Sequence, residues 1–138
     1  MMLMDQNNPK ARITVIDDER ELVATIKEFL ESRDYEISFA YGGESGLDVI
    51  KKEKPDIIIL DITMPDMDGR DVLISLKKEI DPELQNIPVI MLTGKGEQFD
   101  RDYGIELGAY EYLSKPYDSH RLLRQVSRIM DKKRRGEI

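Results

Sequence analysis

Apolar residues along this chain follow two rhythms that alternate from one end to the other. Three short runs, Ile13-Thr14-Val15-Ile16, Ile57-Ile58-Ile59-Leu60 and Val89-Ile90-Met91-Leu92, are apolar almost throughout and predict strands buried on both faces. Two others, Glu36-Ile37-Ser38-Phe39-Ala40 and Tyr110-Glu111-Tyr112-Leu113, alternate polar with apolar positions and predict edge strands. Between them run helix-spaced stripes: Leu22, Val23, Ile26, Phe29 and Leu30; Leu47, Val49 and Ile50; Val72, Leu73 and Leu76; a weak one with Phe99, Tyr103 and Leu107; and Leu122, Leu123, Val126, Ile129 and Met130. The pair Gly42-Gly43 marks a turn before the second helix, and Asp81-Pro82 is expected to close the third. Strict β-then-α order predicts an α/β fold: a doubly wound (βα)5 three-layer sandwich with a parallel sheet. Right-handed crossovers and the interior or edge character of each strand give the order 2-1-3-4-5. Residues 1–10 read as a loose N-terminal arm, 11–130 as the domain and 131–138 as a basic C-terminal tail.

Composition narrows the function classes. A chain of 138 residues holds one domain with a real core, and 40% hydrophobic with 36% charged residues describes a soluble globular protein. With no cysteine, thiol nucleophiles, disulfides and thiolate metal sites are excluded. The first ten residues lack the apolar stretch of a signal peptide and no run is long enough to span a membrane, so a cytoplasmic address and no membrane partner are expected. A net charge of −7 argues against direct nucleic-acid binding, which relies on clustered Lys and Arg. The one basic cluster, Lys132-Lys133-Arg134-Arg135, reads as helix C-terminal charge or a solvated tail.

Candidate chemistry sits where the strands end. Parallel strands finish on the same sheet edge, so Asp17 and Asp18, Asp61, Thr93 and Lys115 are expected to converge there. Asp61 closes the most apolar strand and precedes the turn Thr63-Met64-Pro65-Asp66-Met67-Asp68-Gly69. Three neighbouring carboxylates repel one another unless a cation is present, and a hard divalent ion such as Mg2+ suits oxygen ligands of this kind. Acids, a metal, an ammonium and a hydroxyl are the equipment for placing a phosphoryl group on a carboxylate. Taken alone, each of these residues has a plainer use: an Asp after a strand caps a helix, Thr93 turns the chain, and Tyr112 packs on an edge. His120 is expected to be exposed in the first turn of the last helix, outside the chemistry.

Four stretches in this order, Val15-Ile16-Asp17-Asp18-Glu19, Leu60 to Gly69, Leu92-Thr93-Gly94 and Gly108 to Pro116, resemble the receiver domains of two-component response regulators. The resemblance runs from about Ala11 to about Met130 and is similar to single-domain chemotaxis-type regulators in length, with a flavodoxin-like fold implied. It implies Asp61 as the phosphoacceptor, with a sensor histidine kinase or a histidine phosphotransfer protein as donor. It implies Mg2+, or Mn2+ in its place, held by Asp18 and Asp61, by Asp17 largely through water, and by the Thr63 backbone carbonyl. Thr93 and Lys115 would take the phosphoryl oxygens, Pro116 would follow a cis peptide bond, and Tyr112 would be an aromatic switch that turns inward on activation. Thr63 and Lys95 flank the path of attacking water and depart from the commonest family residues, so they are expected to tune phosphoryl lifetime.

The resulting expectation is a switch and not an enzyme, catalysing only its own phosphorylation and dephosphorylation. No output domain follows in this sequence, so the signal would leave through the face of the fourth helix, last strand and last helix. That face would meet a downstream protein target or form a weak phosphorylation-dependent dimer of an otherwise monomeric chain. An aspartate-nucleophile phosphatase would need a second acid where Thr63 stands. A flavin-binding protein of the same topology would need a phosphate-cradling loop where Asp17-Asp18-Glu19 stand. A degenerate receiver that only binds partners would not need the complete acid, Thr and Lys set.

Overall fold

The computed structural model describes residues 10–94 and 107–138. Its strands are β1 (Arg12–Ile16), β2 (Glu36–Ala40), β3 (Ile57–Asp61), β4 (Val89–Thr93) and β5 (Glu111–Ser114). They form one parallel sheet in the order β2-β1-β3-β4-β5, as the strand patterns predict. The three apolar runs lie inside and the two alternating ones at the edges, because only a strand with neighbours on both sides and helices on both faces has no polar face to present. Thr14 is the buried polar exception in β1, and its hydroxyl meets that of Ser38 on β2 at 2.7 Å.

Helices among the described residues are α1 (Arg20–Glu31), α2 (Gly43–Glu53), α3 (Gly69–Lys77), the single turn α4 (Pro82–Gln85) and α5 (Ser119–Arg134). Strand alternation divides the core between the two faces. Ile13, Val15, Ile57, Ile59, Ile90 and Leu92 pack with Val23, Ile26 and Leu30 of α1 and Leu122, Val126 and Ile129 of α5. Ile16, Ile58, Leu60, Val89 and Met91 pack on the other face with Ile50 of α2 and Val72, Leu73 and Leu76 of α3. The fourth predicted helix lies outside the described residues apart from Leu107, which packs against this second cluster.

Two boundaries differ from expectation for local reasons. Asp81-Pro82 does not close α3, which stops at Lys77. It opens α4, with Asp81 accepting from the Glu83 N–H and Pro82 at the first helical position, where a missing N–H costs nothing. The last helix runs past Met130 to Arg134, placing Lys132, Lys133 and Arg134 in its final turn against the negative end of the helix dipole. Lys133 also reaches the Asp56 carbonyl at 3.1 Å. No helix among the described residues is long and apolar enough to cross a membrane.

The turn after β3 is tied down at both ends. Asp66 accepts from the N–H groups of Gly43 and Glu44 at the start of α2, which hold its carboxyl below the usual range. Asp68 caps α3 through the Arg70 N–H and pairs with the Arg70 guanidinium. Gly69 donates to the Ile62 carbonyl at 2.7 Å, and a Cβ there would stand 2.2 Å from the Asp61 carbonyl oxygen. Gly69→Ala should therefore cost about 1–3 kcal/mol, seen as a lowered denaturant midpoint, because backbone on both sides must move. Ile80→Ser, at a side chain 95% exposed, should stay within about 0.5 kcal/mol of the parent.

Candidate functional site

Each strand end delivers one piece of the site, and backbone bonds between neighbouring ends keep the pieces in step. Asp17 N–H donates to the Ala40 carbonyl, Ile62 N–H to that of Leu92 and Lys115 N–H to that of Thr93. Asp17 continues the alternation of Ile13 and Val15, and Asp61 that of Ile57 and Ile59, so both carboxylates leave the sheet on the α1–α5 side. Carboxylate oxygens of Asp17, Asp18 and Asp61 all lie within 4.8 Å of one another. Asp17 and Asp61 are buried, Asp61 to 4% exposure, whereas Asp18 sits at the more open rim.

Lys115 enters this cluster from the far side. Its peptide bond to Pro116 is cis. Its ammonium stands 3.0 Å from Asp17 Oδ2, 3.1 Å from Glu19 Oε1 and 3.5 Å from Asp61 Oδ1. The other oxygen of Asp17 accepts from the Glu19 N–H at 2.9 Å, so both of its oxygens are engaged. Asp61 is the less satisfied acid, with the Lys115 contact at 3.5 Å and a hydrogen bond from the Thr63 N–H.

These contacts set the charge states. Burial, then the Asp17 and Asp18 charges, push the Asp61 carboxyl up to about 7 against the opposing pull of Lys115 and the Thr63 N–H. Burial likewise raises Asp17, partly offset by the Glu19 N–H and Lys115. For Lys115, burial works against the charged form but Asp17, Asp61 and Glu19 outweigh it, holding the ammonium above its ordinary value. One ammonium does not neutralise three carboxylates, and a carboxyl poised near neutrality on a sheet edge is a group short of positive charge. A divalent cation coordinated by oxygen supplies that charge, and the donor set fits one.

The remaining predicted residues are placed as follows. Thr63 is exposed at the mouth, beside Asp61. Thr93 ends β4 in the alternation of Val89 and Met91, on the opposite sheet face from Asp61, and its hydroxyl donates to Ser114 Oγ at 3.3 Å. Tyr112 pairs in register with Met91 and is buried to 7% exposure on that same α2–α3 face, so its ring is already turned inward. Pro116 follows the cis bond, and Lys95 lies outside the described residues. His120 is exposed in the first turn of α5, edge-on to Phe29 with ring centroids 5.7 Å apart.

Two residues near the cluster carry no assigned role in the sequence reading. Glu19 stands at the N-cap of α1, yet its side chain makes no capping bond and goes to Lys115 instead. Its place two residues after Asp17 was the available signal. Tyr117, just past Pro116, packs with the α1–α5 core, and its hydroxyl is buried with no hydrogen-bond partner among the described residues. Burial holds that phenol above its ordinary range.

Comparison with known proteins places this geometry in a family. Residues 13–127 match the response regulator receiver domain. PhoP of Bacillus subtilis (strain 168), an alkaline phosphatase synthesis transcriptional regulatory protein, is 37% identical over 127 residues, covering 92% of this chain and 50% of its own. The transcriptional regulatory protein CpxR of Escherichia coli (strain K12) is 37% identical over 119 residues, covering 86% and 49%. The chain thus spans about half the length of these curated relatives. Among solved structures, the CheY-like receiver domain protein of Methanospirillum hungatei JF-1 superposes with a TM-score of 0.83 at 28% identity, covering 92% of this chain and 98% of its own. Chemotaxis protein CheY4 of Vibrio cholerae gives 0.79 at 26% identity, covering 87% and 98%. The doubly wound flavodoxin-like fold, the acidic strand-end cluster and these likenesses lead to one conclusion: the chain belongs to the response regulator receiver domains.

Proposed function

We propose that Asp61 accepts a phosphoryl group from a sensor histidine kinase or histidine phosphotransfer protein in a Mg2+-dependent reaction. The observation that carries this reading is a buried carboxylate held near neutrality between two further acids and a lysine ammonium 3.5 Å away. Asp18, Asp61 and the Thr63 carbonyl would hold the ion, with Asp17 acting largely through water because its two oxygens are already engaged. Mn2+ could take the same ligands. When bound, the ion supplies charge neutralisation that lets two anions meet. An Asp61 oxygen bonds to phosphorus as the bond to the donor's imidazole nitrogen breaks, and the electron pair leaves with the imidazole. Lys115 and the Thr93 hydroxyl take the phosphoryl oxygens; the 3.3 Å bond from Thr93 to Ser114 is long for a hydroxyl pair and is readily exchanged.

In this reading the chain is a switch acting catalytically only on its own phosphorylation and dephosphorylation, in the cytoplasm, with no direct nucleic-acid or membrane contact by this domain. Close to two negative charges at Asp61 draw on Thr93, which shares its sheet face with Tyr112. Because Tyr112 is already inside, phosphorylation selects an arrangement the fold reaches unaided. The altered face of the last strand and last helix, with the segment before them, then meets a downstream protein, the chain acting as a monomer or as a weak phosphorylation-dependent dimer through that face. Thr63, at the mouth, and Lys95 tune how fast water removes the phosphoryl group.

Intact mass analysis after incubation with Mg2+ and acetyl phosphate tests this. One acid-stable, base-labile phosphoryl group is expected on the wild type and none on Asp61→Asn; equal labelling of both refutes the assignment. Followed after donor removal, Thr63→Ala and Lys95→Ala should change the decay rate, and unchanged decay in both removes the tuning role.

The site's charge deficit also predicts a pH profile. In its folded state Asp61 holds its proton up to about 7, against 3.8 as the unfolded reference, so between these values the native state binds the extra proton and stability falls as pH rises. Asp61→Asn should then stabilise the metal-free protein by on the order of 4 kcal/mol at pH 8 and by well under about 1 kcal/mol near pH 4. Thermal unfolding in chelator reads this out. A gain that does not grow with pH contradicts it.

A further inference from the structure

We propose that Glu19 is a positioning residue that holds the Lys115 ammonium on the Asp17 side of the cluster and thereby sets how readily it reaches a phosphoryl group on Asp61. The inference rests on the reading of Asp61 as acceptor and adds a control on it. Lys115 has one charge and three carboxylates to choose from. Its distances are 3.0 Å to Asp17, 3.1 Å to Glu19 and 3.5 Å to Asp61, so the acceptor is the loosest of the three.

Glu19 stands at the N-cap of α1, where the helix dipole attracts a carboxylate, although its side chain is longer than those of Asp, Asn, Ser and Thr that best bond the free N–H groups of the first turn. Here the side chain makes no such bond and spends its charge on Lys115. The donation from Glu19 N–H to Asp17 Oδ1 fixes the backbone that aims it. Asp17 and Glu19 therefore form a two-pronged clasp on one ammonium, one prong buried and the other 60% exposed at its side chain.

The exposed prong is the adjustable one. An ion pair in contact with water is weak and reversible, so Glu19 biases Lys115 without locking it. A compact ammonium on a flexible stem can pass between partners with small rotations. A ligand that needs Lys115 on Asp61 binds more weakly by the fraction of time the ammonium is elsewhere. Loss of the prong should strengthen such binding.

The test uses beryllofluoride, which adds to a carboxylate as a tetrahedral phosphoryl mimic, titrated into the full chain at saturating Mg2+. Glu19→Ala should tighten binding about two- to fivefold relative to wild type. Glu19→Asp should do the same, because the shorter side chain keeps the charge but falls short of Lys115 and is free to cap α1. Denaturant midpoints of both variants, measured without ligands, separate this from a structural effect: the affinity gain should appear with no loss of stability. Unchanged affinity in both variants overturns the proposal, as does a gain in Glu19→Ala alone, which would mean that the negative charge acts at a distance and not by its grip. If wild type and variants alike bind no beryllofluoride, it is the reading of Asp61 as acceptor that fails.

Discussion

Like charge held close together, at the open edge of an otherwise apolar sheet, is the constraint on which this molecule depends. Asp17, Asp18 and Asp61 converge within 4.8 Å and a single lysine ammonium stands among them. Burial first, and then a repulsion that water cannot screen as it would between exposed groups, push the Asp61 carboxyl up to about 7. A fold that tolerates this has a site that would gain from a cation and, in the proposed function, from a phosphoryl group that draws Lys115 across. The instability and the proposed activity thus have one origin.

The sheet makes that concentration affordable. Between their first and last residues the three central strands carry no polar side chain but Thr14, and the cores on both faces fix their register. Alternation then sends two acids and two β4–β5 residues to different sides: Asp17 and Asp61 exit toward α1 and α5, Thr93 and Tyr112 toward α2 and α3. Thr93 is the link, since its carbonyl accepts from the backbone N–H of Lys115 while its hydroxyl bonds across to β5. A change at the acids has a short covalent and hydrogen-bonded route to the other face.

Much of this was legible from residue order alone, and the reasons differ by residue. Strand placement followed from polarity because interior parallel strands cannot hide a polar face, so Ile57 to Leu60 and the alternating Glu36 to Ala40 announced their own positions. Convergence of Asp17, Asp61 and Lys115 followed from topology. Asp81-Pro82 starts a helix where its sequence suggests a stop, because an Asp-Pro pair serves either purpose and only the tertiary setting of Leu84 against the core decides. The inward ring of Tyr112 was not legible, since an aromatic on an edge strand has two faces to choose from. Glu19 escaped because an acid at a helix N-terminus has an ordinary use, and its departure from that use is a matter of side-chain direction. Tyr117 escaped for the same kind of reason: its buried hydroxyl is a property of packing beside the cis Lys115–Pro116 bond.

Burial and crowding together leave Asp61 in need of added positive charge, and a carbon-13 NMR titration of its side-chain carboxyl tests this most directly. Without divalent metal the account predicts a midpoint near 7, moving well into the acid range when Mg2+ is present. A metal-free midpoint near the ordinary 3.8, unmoved by Mg2+, would contradict it.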